Sequence, residues 1–364
     1  MKTKAAELLK ELTEAHSVPG YEDEVRAIFA DELENIGGTI GSDRQGSVYF
    51  ERGLGENSGP RVMIAGHMDE VGFRIQHIRP DGYLKFVPVG GWWPHTLLSQ
   101  RVEILTKSGE KILGVISSTP PHFLSEDKRN RVMAIGDLFI DIGAANDQEA
   151  KQSFGISLGD PVAPATDFTP MQKENYYMAK AFDNRVGMAC AIQAAQILVR
   201  EAGHPNTLIS AGTVQEEVGL RGAHSLANKV QPDVALILEG PPADDTPGFF
   251  PSESQGKLGG GVQIRLHDPS AIMNPRLADL AIETAEREGI PYQVTVRSSG
   301  GTDAGRFSMA NQGIPCVVLG VPSRYIHSHN AIIDIEDYLC MVRLTVALVK
   351  RLDQEKVNEL IEYL

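Results

Sequence analysis

The chain has 364 residues, with 34 Lys+Arg against 48 Asp+Glu for a net charge of -14, and is 42% hydrophobic. That length exceeds the roughly 250–300 residues at which one hydrophobic core stops growing, so more than one domain is expected. The acidic balance repels phosphate backbones and no basic cluster offsets it, so nucleic acid is not an expected partner; no run approaches the ~18 apolar residues of a membrane span, so no membrane partner is expected either.

In chain order, residues 4 to 16 place Leu8, Leu9 and Leu12 on one helical face before Pro19-Gly20 stops the helix. The N-terminus carries charges every few residues and lacks the apolar stretch of a secretory signal. Cys190, Cys316 and Cys340 lie far apart in apolar runs, as buried thiols of a reducing compartment do. A cytoplasmic protein is expected.

The segment RVMIAG (61–66) reads as a buried strand that delivers His67 and Asp69 at its carboxyl end. From Gly72 to about Pro164 the pattern changes to short, partly alternating segments divided by Pro-Asp-Gly and Ser-Gly turns, which predicts a compact β-barrel or sandwich. Then α/β texture returns. NRVGMACAIQAAQILVREAG is a helix ended by Gly203, and TLISAGTV, VALILEG and PCVVLGV are buried strands alternating with helices such as LADLAIETAEREG. The expected fold is α/β, a helix-flanked mixed sheet interrupted by a β-barrel insert. The boundaries are 1–71 and 166–364 for the catalytic unit and 72–165 for the insert.

Open α/β sheets bind ligands beyond the carboxyl ends of their strands. The polar residues at those ends are His67 and Asp69, then Glu216 and Glu217, then Glu239, then Arg324 and His327, with Asp183 just before the long helix. So many carboxylates beside two imidazoles are costly unless positive charge compensates them, and a metal pair is the natural compensation. Two divalent ions balance Asp183, Glu217, Glu239 and a hydroxide, which leaves Glu216 free to act as a base. Asp69 is placed to accept the second N–H of His67. The plainer alternatives are a core histidine at His67, a solvated Glu216-Glu217 pair opening a helix, a helix cap at Asp183 and His329 in place of His327.

The strings AGHMDEVGF, KAFDNRVG, TVQEEVGLRGA, GGTDAG and PSRYIHS occur in this order, with GGWWPHTLLSQRV, TPPHFLSED and LFIDIGA inside the insert. Together they resemble the tetrahedral metallo-aminopeptidases, a group that includes glutamyl and deblocking aminopeptidases among the dinuclear zinc exopeptidases. The resemblance implies His67 and Glu239 on one metal, Glu217 and His327 on the other, Asp183 bridging and Glu216 as general base. Position 239 holds Glu where many relatives carry Asp. It further implies two zinc or cobalt ions per subunit, short peptides as substrates and a homo-dodecamer paired through its inserts. Gly301, Thr302 and Asp303 are expected in the substrate pocket wall, and Arg324 is a candidate partner for an acidic substrate side chain or for a structural carboxylate. Another metal-dependent amide hydrolase, a deacylase or carboxypeptidase, and a silent peptide-binding scaffold are the competing functions.

Overall fold

A computed structural model describes residues 2–53 and 59–364. The strand Arg61–His67 lies inside a nine-stranded mixed sheet, flanked by the parallel strands Thr207–Thr213 and Val234–Glu239. Cys316–Gly320 continues the parallel set, Val262–Asp268 joins it antiparallel, and the hairpin of Thr39–Ser42 with Val48–Arg52 closes the other side.

Alternation along these strands divides the core between the two faces. Val62, Ile64, Leu236, Leu238, Val317 and Leu319 pack with helices Lys2–Glu14, Phe182–Glu201, Pro275–Arg287 and Ile335–Val349. Met63, Ala65, Ala235, Ile237 and Val318 pack on the opposite side with helices Arg221–Val230 and Ala304–Phe307. Side chains of period two covered on both faces produce the nearly continuous apolar runs seen in the sequence. The long helix ends one residue earlier than its pattern implies, because Ala202, at φ 46, takes the left-handed turn that Gly203 was expected to supply.

The six strands Gly72–Ile78, Leu84–Val89, Arg101–Leu105, Lys111–Ser117, Phe139–Asp141 and Pro161–Pro164 close a barrel around Phe73, Ile75, Val102, Ile104, Ile116 and Ile140. The fold is therefore a helix-flanked mixed sheet interrupted by a closed barrel. Cys190, Cys316 and Cys340 are free and buried. Among the described residues no helix is long and apolar enough to cross a membrane.

Candidate metal centre and substrate cavity

The sheet register sets the site. Thr213 pairs with His67, and Ile237 pairs with Ala65, so Glu239, two residues on, stands level with His67 at the carboxyl edge. The start of the long helix reaches that edge because two glycines let backbones touch. A Cβ on Gly66 would lie 2.7 Å from the carbonyl carbon of Gly187, and one on Gly187 would lie 2.3 Å from the Leu238 oxygen. Asp183 is thereby carried to His67. Its backbone is non-helical and its side chain makes no cap; Asn184 fills that role, its side-chain oxygen accepting from the Gly187 N–H at 3.0 Å.

The carboxylate of Asp183 faces both histidines. Its Oδ1 is 3.2 Å from His67 Nε2 and its Oδ2 is 3.4 Å from His327 Nε2. Glu239 Oε2 lies 3.7 Å from His67 Nε2, and Glu217 Oε2 lies 3.4 Å from His327 Nε2. Among the described residues three groups with one ligand atom per residue have those atoms within 4.8 Å of one another, His67–Asp183–Glu239, Asp183–Glu217–His327 and His67–Glu216–Glu217. Asp183 belongs to the first two; Glu216 enters only the third, with Oε2 3.9 Å from His67 Nε2.

Asp69 departs from its expected contact. His67 Nδ1 meets the backbone oxygen of Asp69 at 3.0 Å, while the Asp69 carboxylate lies 3.6 Å away. That carboxylate instead accepts the backbone N–H groups of Glu216 and Glu217 at 2.9 and 3.0 Å. Asp69 thus fixes the turn that presents both glutamates, and its main chain orients the imidazole. For His327 the equivalent partner comes from the barrel, where the Gly91 oxygen is 3.0 Å from Nδ1. The neighbouring Trp92 anchors that loop by donating to the Gly72 oxygen at 3.0 Å and stacking on Phe73. His329, the rival ligand, is buried near Trp92 with neither ring nitrogen partnered, and burial lowers its pKa to about 4.

Electrostatics shows what this edge lacks. Burial, then the charges of Glu217 and Glu239, push Glu216 well above the usual carboxylate range against the pull of His67. Burial raises Glu217 to about 7, opposed by His327. Burial disfavours the charged His327, yet its bond to Asp183 and the Glu217 charge hold it up at about 9. Glu217 Oε1 and Glu239 Oε1 are buried without a donor. Imidazole nitrogens and carboxylate oxygens left short of positive charge are the donor set of a zinc-type cation, and the residues present fit such ions.

The same edge opens into a cavity of about 790 Å³ whose lining includes His67, Asp183, Glu216, Glu217, Glu239 and His327. Gly301 and Thr302 lie in its wall. Asp303 does not line it: the side chain is buried, Oδ2 accepts the Thr213 hydroxyl at 2.5 Å, and Oδ1 has no partner. Burial, opposed by His67, raises its pKa to about 6. Arg324 also lies outside the lining, held by Asp245 through Nε at 2.7 Å and Nη2 at 2.6 Å. Of its two expected roles it fills the structural one. The arginines that do line the cavity, Arg265 and Arg297, are not singled out by any motif in the sequence. The available signal was a charge at a buried, alternating position of the strand VQIRLHD.

Residues 46–344 match the model of the M42 glutamyl aminopeptidases, and a short match named AMPT covers residues 3–29. The glutamyl aminopeptidase of Lactococcus lactis is 36% identical, covering 98% of each chain, and the lysyl aminopeptidase of Pyrococcus furiosus is 32% identical, covering 95% of this chain and 97% of its own. Among solved structures, the TET aminopeptidase of a marine sediment Thaumarchaeota archaeon superposes with a TM-score of 0.94 at 42% identity, covering 98% of this chain and 99% of that one. The TET1 peptidase of Pyrococcus horikoshii, described as assembling into a tetrahedron or a large octahedral shell, has a TM-score of 0.84 at 33% identity, covering 96% and 100%. A family model spanning most of the chain, full-length relatives above 30% identity and the strand-edge cluster agree that this protein belongs to the M42 glutamyl aminopeptidase family of peptidases.

Proposed function

We propose that the protein is a dinuclear aminopeptidase that removes N-terminal residues from short peptides, with Glu216 as general base. The observation that carries this reading is the two-sided Asp183 carboxylate, one oxygen turned to His67 and the other to His327. His67 and Glu239 would hold one divalent ion, Glu217 and His327 the other, and Asp183 both; zinc or cobalt suits the set. Ions bound there supply Lewis-acid polarisation of the scissile carbonyl and lower the pKa of a water from about 15.7 toward 7.

The protein's own residues do the rest. Glu216, outside the two sets that share Asp183 though grouped with His67 and Glu217, and raised by burial and its like-charged neighbours, takes the proton of the attacking water and hands it to the leaving amine. Asp69 holds the Glu216-Glu217 turn so that one carboxylate serves as ligand and the other as base. Gly301 and Thr302 form the wall against which the peptide is laid. Segments 1–71 and 166–364 make the catalytic unit, and 72–165 is the insert through which subunits pair into a dodecamer, as the tetrahedral relative suggests.

The test is a panel of aminoacyl anilides. Chelation abolishes release from free-amine substrates, zinc or cobalt restores it, and N-acetylated substrates stay intact. Chelator-resistant turnover, or equal cleavage of blocked substrates, would return the choice to a deacylase or another hydrolase.

A further inference from the structure

Glu70, Lys180 and Arg185 are the charged residues of the strings AGHMDEVGF and KAFDNRVG that the proposed mechanism leaves unused, and the fold brings the three together. All three are buried, Arg185 completely. Glu70 Oε1 accepts Lys180 Nζ at 2.5 Å and Arg185 Nη2 at 3.0 Å, so one carboxylate faces two cations. Other donors of both cations go to main chain. Lys180 Nζ donates to the Ala15 oxygen at 2.8 Å, Arg185 Nε to the Leu12 oxygen at 2.9 Å, and Arg185 Nη1 to the Met68 oxygen. The Ser17 hydroxyl donates to the same Met68 oxygen at 2.8 Å, and the Glu70 N–H to the Ser17 oxygen at 2.9 Å.

Met68 lies between His67 and Asp69, and Arg185 stands two residues after Asp183 on the long helix. One guanidinium therefore ties the turn that carries His67 and Asp69 to the helix start that carries Asp183, and both to the helix Lys2–Glu14 through Leu12. A planar fork donates in fixed directions, which sets a spacing more strictly than an ammonium on a flexible stem can. Stability alone is a poor account of the group, because buried ion pairs often give way to apolar side chains of similar volume without loss. Burial works against the Arg185 charge, while Glu70 and then Asp69 sustain it, so the guanidinium also acts on the carboxylate that holds the Glu216-Glu217 turn. We propose that Arg185 is a positioning residue of the metal centre: by gripping the Met68 carbonyl it holds His67 at its 3.2 Å spacing from Asp183, with Glu70 and Lys180 keeping the guanidinium in place. The proposal rests on the dinuclear reading.

The experiment titrates the chelated full-length protein with cobalt, followed by calorimetry and by the visible absorption of the bound ion, and measures the Tm of the chelated protein. Arg185→Lys keeps the charge and loses the fork. Its cobalt affinity is expected to fall by about 10–100-fold, with shifted absorption bands in the loaded protein because the ligands have moved. Ser17→Ala, which removes the second donor to the Met68 carbonyl, should weaken affinity by about two- to fivefold in the same assay. A lower Tm with wild-type affinity and bands would leave Arg185 a structural residue and overturn the role. Wild-type affinity and bands in either variant overturn it too, so the milder Ser17→Ala decides even if Arg185→Lys does not fold. A wild-type protein that takes up no cobalt removes the dinuclear reading and the positioning role with it, whereas equal uptake by wild type and Arg185→Lys removes the positioning role alone.

Discussion

Where His67, Asp183, Glu216, Glu217, Glu239 and His327 line the cavity, acceptors outnumber donors and Glu217 Oε1 and Glu239 Oε1 are stranded; at Arg265 and Arg297, in the same lining, the stranded atoms are guanidinium nitrogens. Both groups are mostly buried, so each imbalance carries a desolvation cost that nothing within the described part of the chain repays. The sign of the shortfall names what is missing. Carboxylates and imidazoles short of donors are what a cation would complete.

The sharpest way to probe the cation-seeking group is Glu216→Gln, which keeps the shape of the side chain and removes its basicity. Loss of a general base typically costs about 10²–10⁴-fold in rate, and we expect kcat to fall within that range. Metal content and thermal stability should stay near wild type, because the two sets that share Asp183 do not include Glu216 and a Gln amide oxygen can still serve beside His67 and Glu217 in the third. A kcat close to wild type in a fully loaded Glu216→Gln enzyme would remove Glu216 from the mechanism and leave the cluster as ligands alone.

The next effect is Asp69→Asn. Its carboxylate oxygens each accept one N–H, from Glu216 and from Glu217, and an amide offers one acceptor and one donor in their place. One glutamate then faces an N–H where it had an oxygen, and the turn opens. Metal affinity is expected to weaken by about 10–100-fold, read by titrating the chelated protein. Unchanged affinity would show that the Glu216-Glu217 turn holds its shape without the Asp69 carboxylate.

The two groups also differ in how far the sequence discloses them. His67, Glu217 and Glu239 come directly after strands whose apolar runs are easy to see, so a rule about strand ends finds them, and the parallel register then gathers them. Asp183 needs a helix start pressed against two strands through Gly66 and Gly187, a contact no periodicity reveals. The barrel's part in the cluster, the Gly91 oxygen at His327, joins positions 236 residues apart, and neither is apolar or patterned. The rest of the lining includes Asp244, Gln255, Arg265, Arg297 and Thr302, which belong to separate segments and acquire meaning only as a donor count. Asp69 meets His67 through a different atom from the one its spacing suggested, the backbone oxygen in place of the carboxylate.

Arg324 provides the smallest effect and the strictest control on the comparison. It is the arginine nearest in sequence to His327 and was a candidate for an acidic substrate, yet both its Nε and Nη2 are committed to Asp245, whose Oδ2 also accepts the Leu258 N–H at 3.1 Å. Burial opposes ionisation of Asp245, but the bonds from Arg324 hold its pKa below the ordinary value. Arg324→Gln should therefore cost stability, on the order of 1 kcal/mol for a partly exposed pair of good geometry, read as a modest drop in Tm. Substrate preference should not move, because the guanidinium is outside the cavity lining. A changed preference across the anilide panel in Arg324→Gln would bring this guanidinium into the substrate site, against its place outside the cavity lining.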